Sequence, residues 1–308
     1  MRLWHWAAGS FLATAFVLGC VGDDSNAPPD GGGNDATTDG SAPVESGSEA
    51  AVDAPADAPA AFTPASFGTD LALWLVGDNA SNTAGAVDTW YDQSTYKTNL
   101  VQAGASSRPL YEQAVLNGHS VLDFNGNGFQ LYVAPDPDAG TTPPNLSFGQ
   151  TDDFVIAAVV SESPTMPAGY IFAKTQFKCT GGCAPGDGLV FDINQDEAAV
   201  RESSADSFLT TTGGTFSDHA YHVVAVRRIG ETTMQLRVDT VTKNATITGF
   251  DVSEPQFGLM IGLAGGTFNG TFAFRMAELV AVHRTTGAIN DAEVSNIEAY
   301  LKAKYKTP

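Results

Sequence analysis

Residues 154–160 read Phe-Val-Ile-Ala-Ala-Val-Val, an apolar run with no polar interruption. A strand wetted on one side alternates apolar and polar residues, because successive side chains point to opposite faces. A run without alternation predicts a strand covered on both faces. Further short apolar runs lie at 70–76, 121–124, 129–133, 170–173, 189–193, 221–229, 234–238, 258–263 and 272–283. Turn signals separate them, among them Gly181-Gly182, Gly213-Gly214, Gly230-Glu231 and Gly265-Gly266. Only the C-terminus reads as a substantial helix. Asn290 is its expected cap, with Glu293 three residues on as the capping-box partner. Val294, Ile297 and Leu301 form one apolar face, and Lys302 and Lys304 sit where the helix dipole favours cations. The pattern predicts an all-β sandwich with one packed helix.

The 308 residues are 43% apolar and include 32 glycines, too apolar for a disordered chain and too glycine-rich for a helical bundle. Fifteen basic residues against 35 acidic ones leave a net charge of −20. Such a chain does not neutralise phosphates, which argues against a nucleic-acid partner and against an anionic membrane surface.

The N-terminus has its own character. Arg2 is followed by a charge-free apolar stretch that ends at Cys20, the layout of a bacterial export signal. Val17-Leu18-Gly19-Cys20 resembles a lipobox, which implies cleavage before Cys20 and lipidation of that residue. An uncleaved anchor and ordinary secretion are the alternatives; the short segment with its boundary cysteine favours the lipoprotein. Val21, not Asp, follows Cys20, which favours the outer membrane and the cell surface. Residues 21–61 contain no Lys, Arg or aromatic residue and carry nine acids. They cannot bury enough apolar area to offset their ordering entropy. The expected organisation is a signal peptide over 1–19, a disordered acidic tether over 20–61 and one β domain over 62–308.

Within that domain several motifs occur in order. They are Leu73-Trp74-Leu75, Trp90-Tyr91-Asp92-Gln93-Ser94, Arg108-Pro109, residues 121–126, residues 221–228, Leu236-Arg237-Val238-Asp239, residues 274–279 and the ending 293–305. Together they resemble the concanavalin A-like, laminin G-like domains of bacterial surface proteins. The resemblance implies a jelly roll of two curved antiparallel sheets. It also implies roles in glycan binding, adhesion or, in some branches, polysaccharide cleavage; a fold does not choose among these.

The residues speak to catalysis and to metals. Hydrolases of this fold carry E-x-D-x-x-E on one strand, and no E-x-D occurs in the sequence. Glu197 and Glu202, five residues apart, face opposite sides of a regular strand. Glu278 has no acidic strand-mate and reads as a structural hydrogen-bonding or ion-pairing group. A carboxylate pair split between two strands stays open. His219 and His222 are three apart and cannot share a metal on a regular strand. Asp123, Asn125 and Asn127 match the first half of an EF-hand loop, but its twelfth position is Ala134. Their oxygens form a candidate calcium site, against the alternative of a plain polar hairpin. Cys179 and Cys183, with two glycines among the residues between them, are an expected loop-tip disulfide outside the cytoplasm. Trp74 and Trp90 are expected in the core. These readings predict a lipid-anchored surface protein that binds a polysaccharide or glycoconjugate without catalysis. The alternatives are a glycan hydrolase or lyase, and a structural module that binds surface proteins.

Overall fold

The computed structural model describes residues 61–124, 130–132, 144–162, 168–174, 189–194, 197–202, 206–211, 215–247, 258–262 and 273–308. Among these the chain forms sixteen strands and one α-helix. The strands are β1 (Leu71–Thr83), β2 (Ala86–Asp92), β3 (Leu100–Val101), β4 (Leu110–Leu116), β5 (His119–Asp123), β6 (Gln130–Tyr132), β7 (Asp153–Glu162) and β8 (Ala168–Lys174). They continue with β9 (Leu189–Asn194), β10 (Glu197–Glu202), β11 (Asp206–Thr210), β12 (His222–Ile229), β13 (Thr233–Val238), β14 (Val241–Thr246), β15 (Leu259–Gly262) and β16 (Phe274–Arg284). Helix α1 spans Asp291–Tyr305. Each of the ten apolar runs of the sequence falls on one of these strands.

The ladders are antiparallel and follow the path β11-β10-β9-β8-β15-β6-β3-β2-β4-β5-β16-β7-β12-β13-β14, with β1 pairing both β16 and β2. The path doubles back, so that β5-β16-β7-β12-β13-β14 forms one sheet and β11 through β2 the other, with β4 pairing β5 and joining β2 at Ala86↔Leu110. One core lies between the sheets. Phe154, Ile156, Ala158 and Val160 of β7 enter it with Val224 and Val226 of β12, opposite Phe172, Phe191 and Val200. The result is a two-sheet antiparallel β-sandwich with a C-terminal helix.

The alternate residues of β7, Val155, Ala157 and Val159, point the other way. They meet Val294, Ile297, Leu301 and Tyr305 of α1. The helix is therefore the second cover that the unbroken apolar run requires, and every residue of β7 is buried. Asn290 accepts from the Glu293 N–H at 3.0 Å, and the Glu293 carboxylate accepts from the Asn290 N–H at 2.8 Å, closing the capping box. Ion pairs fix the helix to its sheet. Arg227 meets Asp291, Arg237 grips Glu298 with bonds of 2.6 and 2.7 Å, and Arg284 meets Glu293 at 3.0 Å.

A bulge in β16 decides where Glu278 goes. Met276 pairs with Val160 and Glu278 with Val159, leaving Ala277 as the extra residue. An inserted residue shifts the alternation by one. Phe274 and Met276 precede it in the inter-sheet core, and Leu279 and Ala281 follow in the same core. Glu278 is thereby moved out from between the sheets to the helix side. There its carboxylate, with no exposed surface, accepts from Trp74 Nε1 at 2.7 Å, Lys304 Nζ at 2.6 Å and Tyr305 Oη at 2.7 Å. This is a structural hydrogen-bonding and ion-pairing role. Burial and the adjacent Glu278 charge push the Tyr305 hydroxyl far above its ordinary range, so it remains a donor.

Candidate functional site

The Trp90–Asn99 segment shapes one wall of an open surface cleft. Trp90 has no exposed surface and donates from Nε1 to the Val76 carbonyl at 2.8 Å. Asp92 turns inward and organises the following turn. Its carboxylate accepts from the N–H groups of Trp74 (2.9 Å), Ser94 (2.8 Å) and Thr98 (2.8 Å) and from the Ser94 hydroxyl (2.6 Å). An Asp that bonds the backbone two residues on is an Asx turn, here also pinned to β1. The Asn99 side chain closes the loop by accepting from the Asp92 N–H at 3.0 Å.

With Trp90 and Asp92 directed inward, Tyr91 between them is directed outward and is 46% exposed. It lines an open cleft of about 580 Å³ together with Asp78, Asn79, Gln93, Lys97 and Asn99. Asp78 holds the cleft wall. It accepts from the Ser120 N–H at 2.7 Å and lies 2.6 Å from His119 Nδ1. Burial works against its charge, but the Ser120 and His119 contacts outweigh it and hold the carboxyl below its ordinary value. The cleft thus combines one exposed aromatic ring with amides, an ammonium group and an ionised carboxylate.

A second, smaller cleft of about 290 Å³ lies on the other side of the same turn. Thr69, Asp70, Tyr96, Asn145, His283 and Thr285 line it. Tyr96 is also 46% exposed, and its hydroxyl donates to the Thr69 carbonyl at 2.9 Å.

The residues singled out in the sequence are dispersed. Trp90 is core, as expected. Trp74 is half-buried on the helix side, facing away from Leu73 and Leu75. Neither is an exposed platform; among the described residues the exposed rings are Tyr91 and Tyr96. Strand alternation applied to a core Trp90 is the signal that points Tyr91 outward. Asp123, at the end of β5, is 5% exposed and lies 3.6 Å from Arg275 Nε, which also meets Glu112 at 3.0 Å. Burial pushes the Asp123 carboxyl up despite the guanidinium. Of the candidate calcium residues only Asp123 is described; Asn125 and Asn127 lie outside the described residues, as do Cys20, Cys179 and Cys183. No cluster of three or more His, Cys, Asp or Glu side chains suited to a metal occurs among the described residues.

His219 and His222 do not converge on a metal. His219 sits in a turn at φ 56°, while the His222 ring lies between Asp239 (2.6 Å) and Asp218 (2.9 Å). Burial opposes its protonation, but hydrogen bonds and charge from the two carboxylates prevail and raise its pKa above 6.5. A raised folded-state value means the protonated ring stabilises the fold fully below about pH 6.5 and progressively less as pH rises through the folded-state value. The stability difference between the native protein and His222→Gln should therefore be wider at pH 5.5 than at pH 8.5, by roughly 1–2 kcal/mol as for a charge-assisted bond. Thermal melting of both proteins at the two pH values measures it; an equal difference at both refutes the assignment.

No family model matches the chain, and no curated protein matches its sequence. Solved structures do. The binding domain of botulinum neurotoxin serotype D superposes with a TM-score of 0.52 at 10% identity, over 78% of this chain and 53% of that one. The binding domain of Paraclostridial Mosquitocidal Protein 1 gives 0.50 at 12% identity, over 76% and 52%. The sialidase of Trypanosoma rangeli in complex with sialic acid gives 0.50 at 16% identity, over 76% and 33%. The chain thus spans about half, or a third, of the proteins it resembles. Likeness at such identities speaks for the fold alone: a concanavalin A-like sandwich of two antiparallel sheets, as the sequence motifs implied.

Proposed function

We propose that this chain is a surface-displayed lipoprotein whose β-sandwich binds a glycan without catalysis, at the cleft lined by Tyr91. The observation that carries the reading is the exposed Tyr91 ring surrounded by Asn79, Lys97, Asn99 and the ionised Asp78. A sugar presents an apolar C–H face and a rim of hydroxyls. An exposed aromatic ring takes the first, and amide, ammonium and carboxylate groups take the second. An aromatic body with adaptable polar neighbours is the usual composition of a recognition site. The net charge of −20 disfavours polyanionic glycans, so the ligand is neutral or carries basic groups. Lipidation at Cys20 and reach through an acidic tether complete the proposal, on the sequence features described above.

The chemistry of the acidic residues supports binding over turnover. Glu112 and Asp123 come from neighbouring strands, but Arg275 sits against both. A glycosidase needs its two carboxyl groups on opposite sides of a sugar bond. Calcium is not required in this reading, in which Arg275, shared with Glu112, is the cation beside Asp123.

A glycan array probed with the exported protein, once with calcium and once with chelator, tests the proposal. We expect the same neutral or basic glycans to be captured in both. Tyr91→Ala should lower that binding at least tenfold. It should leave stability within about 0.5 kcal/mol, as exposed substitutions do. Capture of no glycan, or release of new reducing ends from a bound polysaccharide, overturns it.

A further inference from the structure

The two clefts are strung along one edge of one strand. β1 pairs with β16 through Leu71–Val76, so that edge of the strand is occupied. The other edge is met in turn by the elements that shape the clefts. Asn145 Nδ2 donates to the Ala72 carbonyl at 2.6 Å. Next, the Trp74 N–H donates to the Asp92 carboxylate at 2.9 Å, and the Trp74 carbonyl accepts from the Gln93 N–H at 2.8 Å. The Val76 carbonyl then accepts from Trp90 Nε1, and Asp78 and Asn79 follow on the strand. Ala72 lines the Tyr96 cleft and Asn79 the Tyr91 cleft. At 3.2–3.4 Å per residue these positions are roughly 20 Å apart along the strand.

The Asp92–Asn99 turn contributes to both clefts. Gln93, Lys97 and Asn99 line the Tyr91 side, while Tyr96 lines the other. The turn is held rigidly. Asp92 takes four hydrogen bonds, and Asn145 reaches across at 3.3 Å to the Thr98 hydroxyl. Its exposed groups are therefore fixed relative to one another, which limits the ordering cost of binding. Each cleft offers one tyrosine ring of equal exposure beside amide and carboxylate groups, with the Lys97 ammonium added in the Tyr91 cleft and the Thr69 and Thr285 hydroxyls and the His283 ring in the other.

Resting on the glycan-binding reading above, we propose that the Tyr91 and Tyr96 clefts are two subsites of one surface, and that its ligand class is an extended oligosaccharide or polysaccharide chain running alongside β1 over the Asp92–Asn99 turn. A surface whose lining runs from Ala72 to Asn79 is longer than a single sugar or a disaccharide. Recognition is thus of the interior of a chain, and affinity rises with chain length until both subsites are filled.

The test measures binding of cello-, manno- and glucosamine oligosaccharides of two and six residues to the native protein, Tyr91→Ala, Tyr96→Ala and Tyr96→Phe. The hexamer of the preferred series should bind the native protein at least tenfold more tightly than its dimer. Tyr96→Ala should remove that advantage and leave dimer binding within twofold. Tyr96→Phe loses only the hydrogen bond to Thr69 and should keep the advantage. Tyr91→Ala should weaken both lengths. Equal affinity for dimer and hexamer, or an unchanged hexamer advantage in Tyr96→Ala, overturns the two-subsite proposal while leaving the Tyr91 site standing. Binding of none of these sugars at either length overturns the glycan reading itself. Loss of dimer and hexamer binding alike in Tyr96→Ala, with lowered melting, assigns Tyr96 to the fold and also overturns the proposal.

Discussion

Gly77→Ala will destabilise the sandwich by at least about 3 kcal/mol, at the upper end of overpacking costs. Gly77 lies buried in β1, and a Cβ there would come within 2.1 Å of the Ser120 carbonyl oxygen and 3.1 Å of the Ala277 carbonyl oxygen. Both obstacles are main chain, from β5 and β16. Neither can rotate aside as a flexible side chain does. Ser120 is further held because its N–H donates to Asp78. Relief requires β1 to move away from its neighbours, which would disturb the Asp78 wall of the Tyr91 cleft as well. Denaturant unfolding of the two proteins measures the loss. A cost below about 1 kcal/mol, within the range of ordinary substitutions, would show that β1 and β5 are not packed as described. Gly85→Ala is the control, because no atom lies within 4 Å of the point where its Cβ would stand; its φ of +82° leaves backbone strain as the only cost.

Lys304→Met should cost about 3–5 kcal/mol, the range for leaving a buried charge unpaired. Glu278 has no exposed surface, and Lys304 is the cation that meets it, at 2.6 Å. Trp74 Nε1 and Tyr305 Oη still donate in the variant but carry no charge. The double variant Lys304→Met/Glu278→Gln removes both charges and should recover more than half of the loss. Additive losses in that cycle, rather than recovery, would show that the pair is not coupled. The position also has a structural consequence. Glu278, Lys304, Tyr305 and Trp74 join β16, α1 and β1 at one point, so the variant should loosen the helix before the inter-sheet core. Hydrogen exchange would read this as faster exchange confined to α1.

Much of this architecture is written in local patterns. The unbroken run at 154–160 demanded covers on both faces, and the sandwich core and α1 supply them. The helix was legible to its cap, since Asn290 and Glu293 bond each other across three residues. Strands β4 and β14 left no such mark. Glu112, Val115, Val241 and Lys243 lie along them, and β14 is almost wholly exposed. Backbone ladders to β5 and β13 order them, and a backbone hydrogen bond carries no side-chain signature. The Trp90–Ser94 motif carries no apolar run, yet the chain runs there as β2 through Asp92 and only then turns.

The candidate site divides along the same line. By itself the sequence determined the two-sheet class, the helix and its packing face, the inward Trp90 and the net acidity. Those properties depend on period, capping and charge, which short stretches carry alone. Only the tertiary structure decided that Tyr91 and Tyr96 stand exposed on two sides of one turn, that Arg275 sits against Asp123, and that a one-residue bulge turns Glu278 from the core to the helix. Each depends on contacts between residues far apart in the chain: Asp92 with Trp74, Asp123 with Arg275, Glu278 with Trp74. Such contacts are set by the register of neighbouring strands, and a single added residue reverses every side chain beyond it.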